Sequence, residues 1–188
     1  MTANDPKRPF ANIELTSLRN PLYVEIVKII AEIAGGLVGF VGIVFILGRR
    51  SERKLTTYEK NGLFHLLIGS VGTLLLSIVI LILVASIEDV DLAWRCGAGL
   101  MATYGFFGST SAIREELRGV HSLPMPFNWI LPITAQLLSF FSVLTAVGFM
   151  DGMAALASVL MLLMGFIVAI TYFIVLLTGH KESAEVNS

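Results

Sequence analysis

Five apolar stretches dominate this chain, each close to or beyond the roughly 20 residues that a helix needs to cross the hydrocarbon core of a bilayer. They run from about Tyr23 to Gly48, Leu63 to Ile87, Leu92 to Ile113, Phe127 to Phe149 and Met153 to Thr178. Inside lipid no water is at hand for backbone N–H and C=O groups, so each such segment has to satisfy them internally as an α-helix. The composition agrees. Of 188 residues, 55% are hydrophobic and 14% charged, whereas a soluble domain carries about 25% charged residues. The expected fold is therefore all-α, a polytopic transmembrane bundle of five membrane-spanning helices. A polar N-terminal tail, 1–22, and a short polar C-terminal tail, 179–188, flank the expected membrane domain, 23–178.

The third stretch is the weakest, because it contains Arg95 and is rich in Gly, Ser and Thr. Leaving it out would turn the 39 residues from Glu88 to Pro126 into a mostly apolar loop, which neither lipid nor water favours. Short links at Glu88–Asp91 and Met150–Gly152 make neighbouring helices antiparallel. Trp94 and Trp129 fall at segment ends, where an amphipathic ring suits the headgroup layer. The first apolar run is too long for a signal peptide's h-region and lacks a small-residue cleavage site, so it reads as a retained helix.

Orientation follows from the distribution of Lys and Arg. Five crossings put Arg49, Arg50, Arg53, Lys54, Lys60, Arg114, Arg118 and Lys181 on one side, and Lys7, Arg8, Arg19 and Arg95 on the other. The excess predicts a cytoplasmic C-terminus and an outer N-terminus, in a plasma or inner membrane. A net charge of −1 gives no broad attraction to nucleic acid, and none is expected as a partner.

Lipid provides no hydrophobic force between helices, so they associate at small residues and through polar contacts. On the first helix Glu25, Lys28, Glu32, Gly35, Gly39 and Gly42 recur at steps of three and four, which places them on one face. Comparable stripes are Gly62, His65, Gly69 and Gly72 on the second helix, and Arg95, Ala98, Ala102, Gly105, Ser109 and Ala112 on the third. The fifth has Ala155, Ser158, Gly165, Ala169 and Tyr172. Packing within the bundle is the first expectation for each stripe, and contact between subunits the second.

Ionisable residues at membrane depth are costly and mark either function or a buried pairing. Glu32 is the deepest, on the order of 10 Å inside the outer boundary at about 1.5 Å per residue. It is expected to pair with Lys28, one turn away, or with Arg95. Gln136 follows Pro132 by one turn, and an interhelical hydrogen bond is its expected role. His65, at the end of the second helix, reads as structural. The run Arg114–Arg118 reads as a solvated helix extension with local ion pairs, and Cys96 as an ordinary packing residue.

Enzyme chemistry finds little footing. No HExxH, Gly-x-Ser-x-Gly or paired-Asp phosphate motif occurs. The single cysteine excludes a multi-cysteine metal site, and only His65 lies at or within a span, so neither a metal nor another cofactor is expected. Two classes of function remain. One is a non-enzymatic subunit assembling in the bilayer with itself or with other membrane proteins. The other is a small ion or proton channel or transporter that uses Glu32, Lys28, Arg95 and Gln136.

Overall fold

The structure, a computed structural model, describes residues 8–50, 57–118, 127–150 and 152–185. They form five helices, α1 (Arg8–Arg50), α2 (Thr57–Ser86), α3 (Val90–Leu117), α4 (Phe127–Ala146) and α5 (Ala154–Glu185). No strand occurs among the described residues. Four helices contain stretches long and apolar enough to cross a membrane: Pro21–Ile43, Gly62–Ser86, Trp129–Ala146 and Ala154–Val175. The fifth helix, α3, is 28 residues long but is diluted by the Gly, Ser and Thr that let it pack against its neighbours.

Several helices outrun the apolar stretches that signalled them. α1 begins at Arg8, so residues 8–22 continue the helix where a tail was expected, and α5 extends to Glu185, past the expected boundary at Thr178. Hydropathy marks where a helix enters lipid. Hydrogen bonding decides where it ends, and it does not stop at the headgroups.

α4 is the opposite case. It ends at Ala146, short of the apolar boundary at Phe149. Gly148 adopts φ +81°, its N–H donates to the Thr145 carbonyl at 3.1 Å, and Phe149 N–H reaches back to Leu144 O at 2.9 Å. That is a glycine-terminated C-cap of the Schellman type. α3 starts just as locally: the Asp89 carboxylate accepts from Asp91 N at 3.1 Å and Leu92 N at 3.2 Å, capping the helix.

Successive helices run in opposite directions. Toward one end, here the hairpin end, Val27 and Ile30 of α1 cluster with Ile80, Trp94, Ala154 and Leu162. Toward the other, the broad end, Val41 clusters with Leu66, Ala169 and Tyr172. α5 is the hub and touches all four other helices, whereas α1 packs on α2 and α5 and α4 packs on α3 and α5. Trp94 is 2% exposed and meets Tyr23 edge-on at 6.2 Å. It fills the core instead of facing headgroups, because the residues that share its face of α3 are the buried Ala98 and Met101.

Several Ser and Thr of the interior bond a carbonyl of their own helix through the hydroxyl. Examples are Ser70 to Leu66 O at 2.7 Å, Ser77 to Thr73 O at 2.8 Å and Ser158 to Ala154 O at 2.9 Å. Satisfied in this way, they act as small residues and permit close approach.

The glycines show how close that approach is. A Cβ on Gly165 would lie 2.6 Å from Thr73 Oγ1, and one on Gly69 would lie 3.5 Å from the Ala169 Cβ. One on Gly105 would collide with Met161 and Ser139, and one on Gly72 with the Tyr104 ring and hydroxyl. These four glycines pack within the bundle. Gly165→Leu and Gly105→Leu should therefore each cost about 1–3 kcal/mol or more, read as a lowered unfolding midpoint in detergent. Gly36→Ala, whose Cβ would meet nothing within 4 Å, should leave stability unchanged or raise it by helix propensity. Equal losses at all three positions would contradict this packing.

Candidate functional sites: an open helix face and an intramembrane cavity

α1 buries the line through Val27, Ile30, Ala34 and Val41. At about 100° per residue, the line through Lys28, Glu32, Gly35, Gly39 and Gly42 lies roughly 130° further round the helix. The stripe expected to pack inside therefore faces outward. Cβ atoms on Gly36, Gly39 and Gly42 would meet nothing within 4 Å, and one on Gly35 would meet only a methyl of Leu74 at 3.9 Å. Glu25, Lys28 and Glu32 on the same side are exposed.

The expected pairing of Glu32 does not occur. Lys28 Nζ turns toward Glu25 at 3.5 Å, and Arg95 Nε bonds Asp91 Oδ2 at 2.7 Å, one turn back on α3. Arg95 also covers the end of α4, where a Cβ on Gly148 would lie 2.8 Å from its guanidinium. A cation at a helix C-terminus is favoured by the helix dipole. Arg95 thus belongs to the hairpin end and is out of Glu32's reach, because Glu32 faces away from the bundle.

Gln136 is tied to α3: its side-chain amide meets Ser109 Oγ, which also donates to Gly105 O at 2.6 Å. The four residues named for a conduit are thus dispersed. Glu32 and Lys28 lie on the outer side of α1, Arg95 at the hairpin end and Gln136 inside the α3–α4 seam.

A second cluster lies near the broad end. His65 Nε2 of α2 is 3.0 Å from Glu115 Oε2 of α3, and its ring stacks on Tyr172 of α5 with centroids 4.9 Å apart. Glu116 is buried, at 8% exposure. The run Arg114–Arg118 is therefore not simply a solvated extension: Glu115 reaches another helix and Glu116 turns inward. A signal for this was available, since Glu116 is one further step of four along the stripe Gly105, Ser109, Ala112. Cys96, expected to pack, is exposed, because the buried face of α3 passes through Trp94, Ala98 and Met101 instead.

Beside this cluster a cavity of about 300 Å³ extends between α2, α3, α4 and α5. His65, Glu116 and Tyr172 stand at its broad end, and Tyr104, Met161 and Met164 line it deeper in the bundle. Tyr104 Oη donates to Ile68 O of α2 at 3.1 Å, an approach that Gly72 permits by having no side chain. Among the described residues, no group of three or more His, Cys, Asp or Glu side chains is placed to hold a metal.

These features define a multi-pass helical membrane protein with an open face on α1 and a cavity between α2, α3, α4 and α5. Comparison with known proteins adds no relative: no family model matches, nor does any curated protein or solved structure.

Two double-mutant cycles separate the pairs. His65→Ala and Glu115→Ala should couple by on the order of 0.6–1.7 kcal/mol, the range for polar contacts between membrane helices. Glu32→Gln and Arg95→Ala should add within about 0.5 kcal/mol. Thermal unfolding in detergent reads both, and coupling in the second cycle with none in the first would contradict the arrangement.

Proposed function

We propose that this protein is a non-enzymatic subunit of a membrane assembly and that the outer face of α1 is its seam, with a second copy of the chain as partner. The observation that carries the reading is Glu32, a carboxylate within an apolar span that has no ion-pair partner among the described residues and stands beside glycines with empty space in front of them. A charge left in lipid costs a few kcal/mol on the most lenient scale and far more on others. Glycine faces allow backbone approach that gains van der Waals contact.

The face is self-complementary in charge. In a parallel pair, Lys28 of one copy, beside Glu25 in its own chain, lies within a turn of the other copy's Glu32 and supplies the counterion that Glu32 lacks. The ion-path reading has less support, since Glu32, Arg95 and Gln136 do not converge. The Lys and Arg distribution supports an outer N-terminus and a cytoplasmic C-terminus in a plasma or inner membrane.

Native mass measurement in mild detergent tests the assembly. Wild type should register as a dimer or larger oligomer. Glu32→Leu together with Lys28→Leu should weaken association at least tenfold, as should Gly39→Leu, with the monomer's unfolding midpoint unchanged. A wild-type monomer at all concentrations would refute the reading. In a Cys96→Ser background, an impermeant thiol reagent applied from outside should label Glu88→Cys and spare Ser51→Cys. The reverse pattern would invert the topology and leave the assembly reading standing.

A further inference from the structure

The cavity between α2, α3, α4 and α5 has a shape and a polarity that together point to one kind of occupant. Along α3 it is lined from Tyr104 to Glu116, which at about 1.5 Å per residue is roughly 18 Å of length. Such a space is an elongated slot along α3 that a hydrocarbon chain can follow. One leaflet of hydrocarbon is about 15 Å thick, half of the bilayer core, so the slot is about as long as a chain in one leaflet.

Its two ends differ. His65 stands near the start of the α2 span and Tyr172 near the close of the α5 span, so the end with His65, Glu116 and Tyr172 lies at the membrane boundary. The end with Tyr104, Met161 and Met164 lies in the middle of the spans and is predominantly apolar. Two bridges join α2 to α3 here, Tyr104 to Ile68 O and His65 to Glu115. Between them the wall is made by Ile68, Phe107 and Gly108, all of which are exposed on the outer surface of the bundle. The exposed lining residues of the slot thus lie on its α2–α3 side, near the two bridges.

We propose that this slot binds the alkyl chain of a single-chain membrane amphiphile, entering between α2 and α3, with its head at His65, Glu115 and Glu116. The head is uncharged or cationic and carries a hydrogen-bond donor, a hydroxyl or an ammonium. Glu116 lines this end and Glu115 meets His65 beside it, and each carboxylate has lone pairs for more than one bond. A carboxylate head would be set against these two carboxylates. Met161 and Met164, flexible and polarizable, suit a wall that has to fit a chain.

The test uses the full chain in phosphatidylcholine nanodiscs and hexadecanol carrying a photoreactive diazirine near its methyl end, with hexadecylamine and hexadecanoic acid analogues alongside. The expected result is saturable labelling at the level of Tyr104, Met161 and Met164. Unlabelled hexadecanol should compete at least tenfold better than octanol, and the acid should label least. Gly108→Phe starts from open space, since a Cβ there meets nothing within 4 Å. It should cut labelling at least tenfold, and Ala112→Phe should do the same, both with wild-type elution in detergent. The wild-type mapping stands by itself if either variant fails to fold. Unsaturable labelling spread over outward residues such as Ile78 and Phe140 would overturn the proposal, as would a filled variant that labels like wild type. Labelling strongest with the acid would overturn the assignment of the head.

Discussion

Close approach at small residues is the condition on which the rest of this bundle stands. In lipid, apolar side chains gain nothing by leaving the solvent for a neighbouring helix, so association has to come from packing and from hydrogen bonds across the interface. Gly165 against Thr73 and Gly105 against Met161 and Ser139 bring helices together at distances that a Cβ would disturb, and Gly69 lies in van der Waals range of Ala169. The buried hydroxyls fit the same requirement. Each of Ser70, Ser77 and Ser158 donates to its own helix and presents a small, satisfied surface to the next.

With the core built this way, polar groups that are not small sort themselves by position. Arg95 is anchored at a helix boundary by Asp91 and lies over the end of α4. Gln136 bridges α3 and α4 through Ser109, and His65 bridges α2 and α3 through Glu115. The latter two make bonds between helices and so help to fix their register. α1 stands apart, because its buried face is aliphatic and its glycines and charges are turned outward. That asymmetry gives the molecule two distinct surfaces of interest. The open face concerns contact between chains, and the slot framed by the α2–α3 bridges concerns contact with a single amphiphile.

Much of this was legible along the chain. The five helices and their antiparallel order follow from apolar length and short links. The stripes on α2, α3 and α5 meant what small residues at steps of three and four usually mean, and Gly69, Gly72, Gly105 and Gly165 do pack inside the bundle. The stripe on α1 has the same spacing and the opposite role. Periodicity establishes that residues share a face, and nothing local establishes which way that face looks. Glu115 and Glu116 were misread for a similar reason. An acidic pair at a helix end is ordinarily solvated, and only the tertiary structure sets Glu115 against His65 of α2 and buries Glu116 beside the cavity.

The sequence by itself determined the five helices and the apolar lengths of their spans, because these depend on backbone hydrogen bonding and hydropathy within a local stretch. Only the tertiary structure decided that Trp94 is core, that Glu32 has no ion-pair partner among the described residues, and that a slot remains beside His65. Those outcomes depend on the rotation of each helix about its axis. That rotation is set by the sum of many close contacts between residues far apart in the chain, and no local pattern contains it.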